Sequence, residues 1–555
     1  MPQSWRQKEI LENNMTETGN TKKTGFLLVI AIMLYTVVIT FWTLSDEPLD
    51  NHECLVSVTA REMLQTGDWI LPRFNGEIRL QKTPLCYWLV ASVAKVTGKV
   101  DEFSTRLPSV CFAILSAAAV LYFTTQWLGI GIAVLSTAVW VSTLAFIRYS
   151  HSGRPEMALC SLVTISMLSF YSAMQAQSRK ERFIFMLVFW LSLALAMLAK
   201  GPAPLVLVLP PLFFYFLIFR QWGRIKDTLP ITGAILFLLI ILPWIIMVAV
   251  KVPEGWTFWK REFIDRFMGN YATGHKHFWY YLPIIFLFAA PFSAFVPYTI
   301  AAPFYSIWER KRPLMWYLWL WFVVQIAVMT ISGSKRQHYI LSVYPAFSIL
   351  AGICLYDMIF ELKVFKSKGV KVLFAGHIIA AIAAAAGLLY WAFAKEKAFI
   401  WPVVHIVMML AVVVGLVVFL FGQKKKVSAT ILLFAGYCAI LLVAYVYFIN
   451  PLDYNTPSKI FSTRIGSIVP ADQELIACNY VSARTIQYAG RTIPIHNFAE
   501  VRSRYEKGAW VIATGGNYQD MIKASGFEVV FYRQMAERQV SKDVEGALFH
   551  KSSGK

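Results

Sequence analysis

Residues 46–84 read DEPLDNHECLVSVTAREMLQTGDWILPRFNGEIRLQKTP. This is the first long polar interval in a chain that is otherwise mostly apolar runs, and the fold is read outward from it. It opens on acids, Asp46, Glu47 and Asp50, followed by Asn51-His52-Glu53. Cys54, Leu55, Val58, Met63 and Leu64 fall largely on one face at helical spacing, which predicts a short helix with Arg61 and Glu62 among its polar positions. Gly67-Asp68-Trp69 ends it, and Pro72, Asn75 and Gly76 supply turns. Carboxylates therefore stand at one end of the segment and cations, Arg79 and Lys82, at the other. The expectation is that Glu53 and Lys82 meet in a site near a membrane face, with the remaining spans as its walls.

The composition points the same way. Of 555 residues, 57% are hydrophobic and only 15% charged, and mean hydropathy is +0.54. Soluble domains carry about 25% charged residues. Recurrent apolar runs near ~20 residues mean a polytopic membrane protein. The net charge of +20 would suggest nucleic acid in a soluble chain. Here it fits basic cytoplasmic loops, and no basic, aromatic-interleaved soluble domain supports nucleic-acid binding. The seven cysteines show no ligand spacing for a structural zinc site. A Cys54–Cys86 bridge is open if their loop faces an oxidising compartment.

Hydropathy predicts about thirteen spans: 25–45, 108–124, 128–147, 156–175, 183–199, 203–219, 230–250, 279–303, 314–331, 339–360, 371–393, 398–421 and 428–448. The run 85–99, interrupted by Lys95, reads as interfacial. The polar residues 1–24 form a cytoplasmic tail. The run after them is too long for a signal-peptide core, so it is expected to stay as an uncleaved first span. With that tail cytoplasmic, alternate loops carry Arg179, Lys180 and Arg182; Arg220, Arg224 and Lys226; Arg310, Lys311 and Arg312; Lys363, Lys366, Lys368 and Lys371; and Lys424, Lys425 and Lys426. This agreement with the positive-inside rule makes 25–449 a thirteen-span membrane domain and places 450–555 outside the cytoplasm. In that tail ELIACNY, IPIH, WVIATG and FEVVFY alternate with helical intervals, which predicts a small periplasmic α/β domain.

The outward loops, 46–107 and 251–278 above all, hold the chemistry. Beside Glu53 and Lys82 they carry Arg148, His151, Arg154 and Glu156; Lys200 before the helix-breaking Gly201-Pro202; Lys260, Arg261, Glu262, Asp265 and Arg266; His275, Lys276 and His277; and Lys335, Arg336, His338 and Tyr339. Cations here run against the topological bias and need another reason. An anionic ligand held by converging Lys and Arg supplies one. Each residue also has a bland reading. Glu156 suits a helix N-terminus without any function, Lys200 could snorkel, and the charges at 260–266 could be a solvated helix face. Glu53 could simply cap the short helix. His275 and His277, with Glu53, are the candidates for a metal, although surface histidines are more often not ligands.

These motifs resemble the polyprenyl-phosphate-sugar transferases of the GT-C class. The resemblance is nearest to the bacterial aminoarabinose transferases that decorate lipid A and more distant to the protein O-mannosyltransferases. It rests on HE-x6-AREM-x3-GDWILPRFNG-x5-KTPLCYW (52–88), FSTRLPSV (103–110), RPEMAL (154–159), AKGP (199–202), PWII (243–246) and SKRQHYILSVYP (334–345). It implies a sugar donor on undecaprenyl phosphate, used at the outer face of the bacterial cytoplasmic membrane, with a lipid A, other glycolipid or protein acceptor. It departs in three places: the usual Asp-Glu pair is His52-Glu53, the second-loop Asp is Glu156, and the Glu before the loop lysine is Gln81. The expected enzyme is an inverting glycosyltransferase that requires no cofactor. Glu53 and Glu156 are its expected catalytic carboxylates. Lys82, Arg266 and Lys335, then Lys200, Arg336 and Tyr339, are expected to hold the donor phosphate. The alternative is a multi-span transporter or flippase of lipid-linked sugars, against which stand the one-sided clustering of charge and the lack of an internal repeat.

Overall fold

The computed structural model describes residues 19–42, 44–268, 270, 277–304, 312–361, 367–395, 397–444, 456–514, 516–524, 526–533 and 546–551. The chain is mostly helix, and a single sheeted unit follows the last apolar helix. Among the described residues nine helices are long and apolar enough to cross a membrane. The pair Ile130–Ser142 and Leu144–Ser150, bent by 62°, makes a tenth. The three remaining expected runs are met by shorter helices, Gly25–Phe41, Ala203–Ile218 and Phe278–Ala289. Ala203–Ile218 runs unbroken through Pro210 and Pro211, whereas prolines account for the last of these. The run 279–303 breaks after Ala289 and resumes as Val296–Ala301, because Pro291 and Pro297 lack the N–H that a continuous helix needs. The carbonyl of Ala290, exposed by that break, accepts the N–H of Leu144 at 2.9 Å.

The helix Pro155–Gln175 is the axis of the membrane unit, buried along almost its whole length. Small hydroxyl residues let its neighbours approach and tie them to it, the usual substitute for a hydrophobic driving force inside lipid. Ser166 Oγ meets Ser192 Oγ at 2.7 Å, Ser161 donates to the carbonyl of Phe112 at 2.6 Å, and Trp127 donates to Ser172 at 3.1 Å. Gly352 lies so close to Ser136 that a Cβ there would come within 2.2 Å of its hydroxyl. Pro155–Gln175 and Arg179–Lys200 form a tight hairpin. Glu156 and Lys200 consequently stand together at one end. At the other, Arg182 and Arg224 both pair with Asp227, about 30 Å away at 1.5 Å of rise per residue.

The polar segment 46–84 sits over the first of these ends. Its helix, Asn51–Thr66, starts in a capping box: Asp50 accepts from the N–H groups of His52 and Glu53, and Glu53 accepts from the N–H of Asp50. It ends on Gly67 in the left-handed conformation, φ 70°. Its apolar face, Val56, Ala60 and Met63, packs on Tyr87, Val90 and Ala91 of the helix Leu85–Thr97, the stretch expected to be interfacial. Between the two helices Arg73–Phe74 pairs antiparallel with Glu77–Ile78. Asn75 and Gly76 both take positive φ at that hairpin tip, as a two-residue turn demands. Cys54 and Cys86 are free and buried, so the bridge left open by the sequence is not formed.

After residue 455 the chain forms a five-stranded sheet. Leu475–Cys478 pairs in parallel with Ile495–His496 on one side and Trp510–Thr514 on the other. Gly546–Phe549 follows antiparallel to Trp510–Thr514, and Val529–Arg533 closes the far edge. The four strands expected from sequence are all present. Gly546–Phe549 is a fifth, which its short run GALF does not announce. This sheeted unit docks on the 46–84 segment. Asn75 exchanges two hydrogen bonds with the backbone of Ile493, at 2.8 and 2.7 Å. Arg61 donates to the carbonyls of Gln487 and Ile486.

Candidate active site

Two groups of ionised side chains lie at the Glu156–Lys200 end of the bundle. The first surrounds a cavity of about 140 Å³ lined by Lys82, Lys200, Glu262, Arg266 and Tyr339 on an apolar floor that includes Leu159, Leu207, Phe263, Phe267 and Met329. Lys82 Nζ is 2.6 Å from Glu262 Oε1, and Arg266 pairs with the same oxygen. Glu262 and Arg266 can share this contact because they stand four residues apart across a π-helical turn, Lys260–Asp265. Burial pushes the Lys82 ammonium below its ordinary value. Glu262 opposes that, while Lys200 and Arg266 add repulsion. Gly201, φ 62°, ends the preceding helix, donates its N–H to Thr83 at 3.0 Å, and leaves the ring of Phe263 no room for a Cβ. The loop lysine, the AKGP break and the 251–278 loop are thus brought to one point.

Lys200 Nζ reaches Glu156 Oε1 at 3.1 Å, and His338 Nε2 lies 3.4 Å from the same oxygen. Lys200 also stands 5.8 Å over the ring of Tyr339. Glu156 Oε2 is buried and accepts no hydrogen bond among the described residues. Lys335 and Arg336 do not line this cavity. Lys335 Nζ donates to the carbonyl of Ser332 at the rim, and Arg336 makes electrostatic contact with His52 and His338.

The second group borders a larger cavity of about 550 Å³. Asp50, Glu53, Arg106, Arg148, His151 and Arg154 face it on the polar side, and Tyr35, Val38, Leu441 and Leu442 on the apolar side. The expectation that Glu53 and Lys82 meet is not fulfilled. Glu53 is buried and accepts four hydrogen bonds: Arg106 Nε and Nη2, both at 3.0 Å, Gly153 N–H at 2.7 Å and Asp50 N–H at 3.0 Å. A carboxylate has about four acceptor positions, so none is left for a substrate proton. Arg106 in turn donates to the carbonyls of Leu44, Glu47 and Pro48. Glu53 and Arg106 are therefore the frame on which the loop hangs.

Three carboxylates border the cavity, Glu47, Asp50 and Glu53, and Asp50 is the one set beside Arg154. One oxygen caps the helix, and the other pairs with Arg154. Arg154 precedes Pro155-Glu156 and feels both Asp50 and Glu156 electrostatically, so it joins the two cavities. His52 sits among Arg154, Asp50, Arg336 and Glu156, and burial followed by Arg154 lowers its imidazole pKa. Of the metal candidates, His275 lies outside the described residues, and His277 stacks on Trp279 with ring centroids 5.1 Å apart. Among the described residues no three His, Cys, Asp or Glu side chains are grouped to hold a metal. Asp50 and Arg106 were not among the site residues expected from sequence, and Glu262 was named only among the charges of its loop. D-N-H-E is a capping-box pattern, which sets both acids at the helix start and carries no signal for which one faces a cavity.

Residues 57–259 match the profile of the family described as dolichyl-phosphate-mannose-protein mannosyltransferase. The undecaprenyl phosphate-α-4-amino-4-deoxy-L-arabinose arabinosyl transferase 2 of Proteus mirabilis is 28% identical over 337 residues, covering 59% of this chain and 58% of that protein. The corresponding transferase of Pseudomonas paraeruginosa is 26% identical, covering 66% of each. The matched region thus spans under two thirds of these relatives. In three dimensions the chain superposes on ArnT from Cupriavidus metallidurans bound to undecaprenyl phosphate with a TM-score of 0.79 at 19% identity, covering 95% of this chain and 98% of that one. The archaeal oligosaccharyltransferase AglB of Archaeoglobus fulgidus gives 0.51 at 12% identity, over 90% and 70% of the two chains. The chain is a multi-pass membrane protein with the GT-C glycosyltransferase fold, and its sequence is similar to the undecaprenyl-phosphate aminoarabinosyl transferases.

Proposed function

We propose that the chain is an integral-membrane glycosyltransferase that moves a sugar from undecaprenyl phosphate to a lipid or protein acceptor at the outer face of the bacterial cytoplasmic membrane. The observation that carries this reading is the smaller cavity. Lys82, Arg266 and Lys200 converge there with Glu262 on a floor of hydrocarbon side chains, and Glu156 pairs with Lys200 from behind the lining. That is the chemistry of a phosphate on an apolar tail. A phosphate between Lys82 and Arg266 would also offset the burial that, with lesser repulsion from Lys200 and Arg266, lowers the Lys82 pKa. The aminoarabinosyl relatives and the lipid named with ArnT agree with this donor.

The transfer breaks the bond between the sugar's anomeric carbon and a phosphate oxygen, and the electron pair stays on the phosphate. The acceptor oxygen bonds to that carbon from the opposite face, so configuration inverts. The leaving group is undecaprenyl phosphate, stable as an anion, and needs no proton. Preorganised positive charge where the anion develops is what lowers the barrier, and Lys82, Arg266 and Lys200 supply it. Tyr339 holds Lys200 in place from its ring face. Lys335 and Arg336 add positive field at the rim. Glu156, with one oxygen lacking a donor, accepts a hydroxyl of the sugar.

The acceptor enters the larger cavity. Asp50 orients it and takes its proton where the attacking oxygen is a hydroxyl. Glu53 holds the loop rather than the substrate. A polar roof over the ends of the first and last apolar helices favours a lipid acceptor with an anionic head. No cofactor is required by this scheme. The basic loops at the Arg182 end face the cytoplasm, and the sheeted unit and both cavities face outward. The test is twofold. Lys82→Met should markedly weaken binding of undecaprenyl phosphate to the purified protein, and cells lacking the gene should lose one glycolipid or glycoprotein species by mass spectrometry. Unchanged binding in the variant would refute the donor site.

A further inference from the structure

Leu49, wholly buried, precedes Asp50, and both of its backbone groups are held by a helix more than four hundred residues away. Its N–H donates to Tyr488 Oη at 2.7 Å, and its carbonyl accepts Arg484 Nε at 3.3 Å. On the far side of Asp50, Asn51 Oδ1 accepts the N–H of Arg484 at 3.3 Å. Tyr488 Oη donates to Glu102 Oε1 at 2.8 Å, where Lys459 Nζ also arrives at 2.6 Å. Glu102 lies in the first turn of the span Glu102–Leu128, so the contact joins the sheeted unit, the 46–84 loop and the membrane bundle. Burial, then Glu102, pushes the Tyr488 hydroxyl up, and it stays a phenol able to donate to Glu102 while accepting from Leu49.

From these contacts we infer that the helix Ala483–Tyr488 positions Asp50 through Arg484 and Tyr488, so that the acceptor half of the site is complete only with the C-terminal unit docked. The inference rests on the role proposed above for Asp50. Its physical content is a two-sided clamp. From the bundle side, Arg106, itself held by Glu53, fixes the carbonyls of residues 44, 47 and 48. From the other side, Tyr488 and Arg484 fix residues 49 and 51. One Asp50 oxygen is committed to the helix N–H groups, so the backbone of 49–51 dictates where the other points. Neither Tyr488 nor Arg484 lines either cavity, and both are positioning residues. A displacement near 1 Å at a reacting group can cost about 10²-fold in rate. Loss of one of several backbone anchors should therefore be felt in turnover while donor binding is spared.

The test uses the full-length detergent-purified protein, undecaprenyl phosphate aminoarabinose as donor and lipid A as acceptor. Tyr488→Phe removes both hydrogen bonds and keeps the ring. It should lower kcat by about 10-fold with donor KM unchanged. Asp50→Asn should lower kcat at least as far, and the double variant should equal Asp50→Asn alone, because a residue acting through Asp50 has nothing left to act on. Multiplicative losses would overturn the clamp, since a merely structural Tyr488 would weaken either background alike. Arg484→Lys, which keeps the charge but loses the Nε donor, should show the same non-additivity. It carries the test if Tyr488→Phe does not fold. Normal turnover by Asp50→Asn would instead overturn the acceptor-side role on which the inference stands.

Discussion

Replacing Glu53 by Gln separates a framework carboxylate from a catalytic one. The side chains of Glu53 and Arg106 are only 5% and 6% exposed. Gln keeps the volume and one acceptor oxygen. It turns the other into an amide that donates, facing groups that themselves donate: Arg106, Gly153 N–H and Asp50 N–H. Removing one partner of a buried ion pair typically costs about 3–5 kcal/mol, because the other charge is left without compensation. At least one backbone N–H loses its acceptor as well, a further ~1–3 kcal/mol if it stays buried. Glu53→Gln should therefore lower the apparent melting temperature in detergent markedly, and donor binding and turnover should be lost together. Arg106→Met alone should do the same. The double variant should be milder than either single change would suggest, because no unpaired charge remains. A base would behave otherwise: melting unchanged, donor affinity unchanged, and kcat down by about 10²–10⁴. That result for Glu53→Gln would refute the framework role and return Glu53 to the chemistry.

Four further outcomes are expected. Loss of one preorganised donor to a developing anion costs on the order of 100-fold in rate, so Lys82→Met should lose about that much in kcat/KM, while Lys425→Met, at the opposite loops, should lose almost nothing. Because the Lys82 pKa lies below 10.5, affinity for undecaprenyl phosphate should fall as pH rises through a value under 10.5, and Lys82→Arg should move that fall upward. His52 is held below 6.5 by burial and Arg154; the unfolded chain thus binds the extra proton first, stability from this group is whole above about pH 6.5 and declines as pH falls toward the folded pKa, and His52→Asn should flatten that acid limb in a melting series. Cysteines at Lys180 and Lys425 should resist an impermeant thiol reagent in intact spheroplasts and one at Arg502 should react; the reverse pattern would invert the proposed orientation.

The membrane architecture was legible because its signals are one-dimensional. Apolar length is a property of single segments, and each expected run is helical in whole or in part. Where the expectation erred, in the run 279–303, the proline spacing already held the reason. Half of the site was legible on the same terms. Lys82, Lys200, Glu156 and Arg266 are polar residues at the ends of apolar runs, where a ligand is the simplest cause, and the fold brings the three cations around one cavity with Glu156 paired to Lys200. The division of labour between Glu53 and Asp50 was not legible from residue type. Both are acids at the start of one helix, three residues apart. What separates them is Arg106, fifty-three residues on, and the N–H of Gly153, one hundred residues on. No local pattern reports which acid a distant guanidinium will take. The capping box engages both acids alike, and only the fold completes the coordination of Glu53 with charge. Asp50 was left at the surface of the cavity, its second oxygen paired with Arg154, and Arg154 leads directly into Glu156. The proposed reaction centre thus has a cation, Arg154, between two carboxylates. Substituting that cation should disturb the acceptor and donor halves together, whereas Lys82 and Asp50 each govern one.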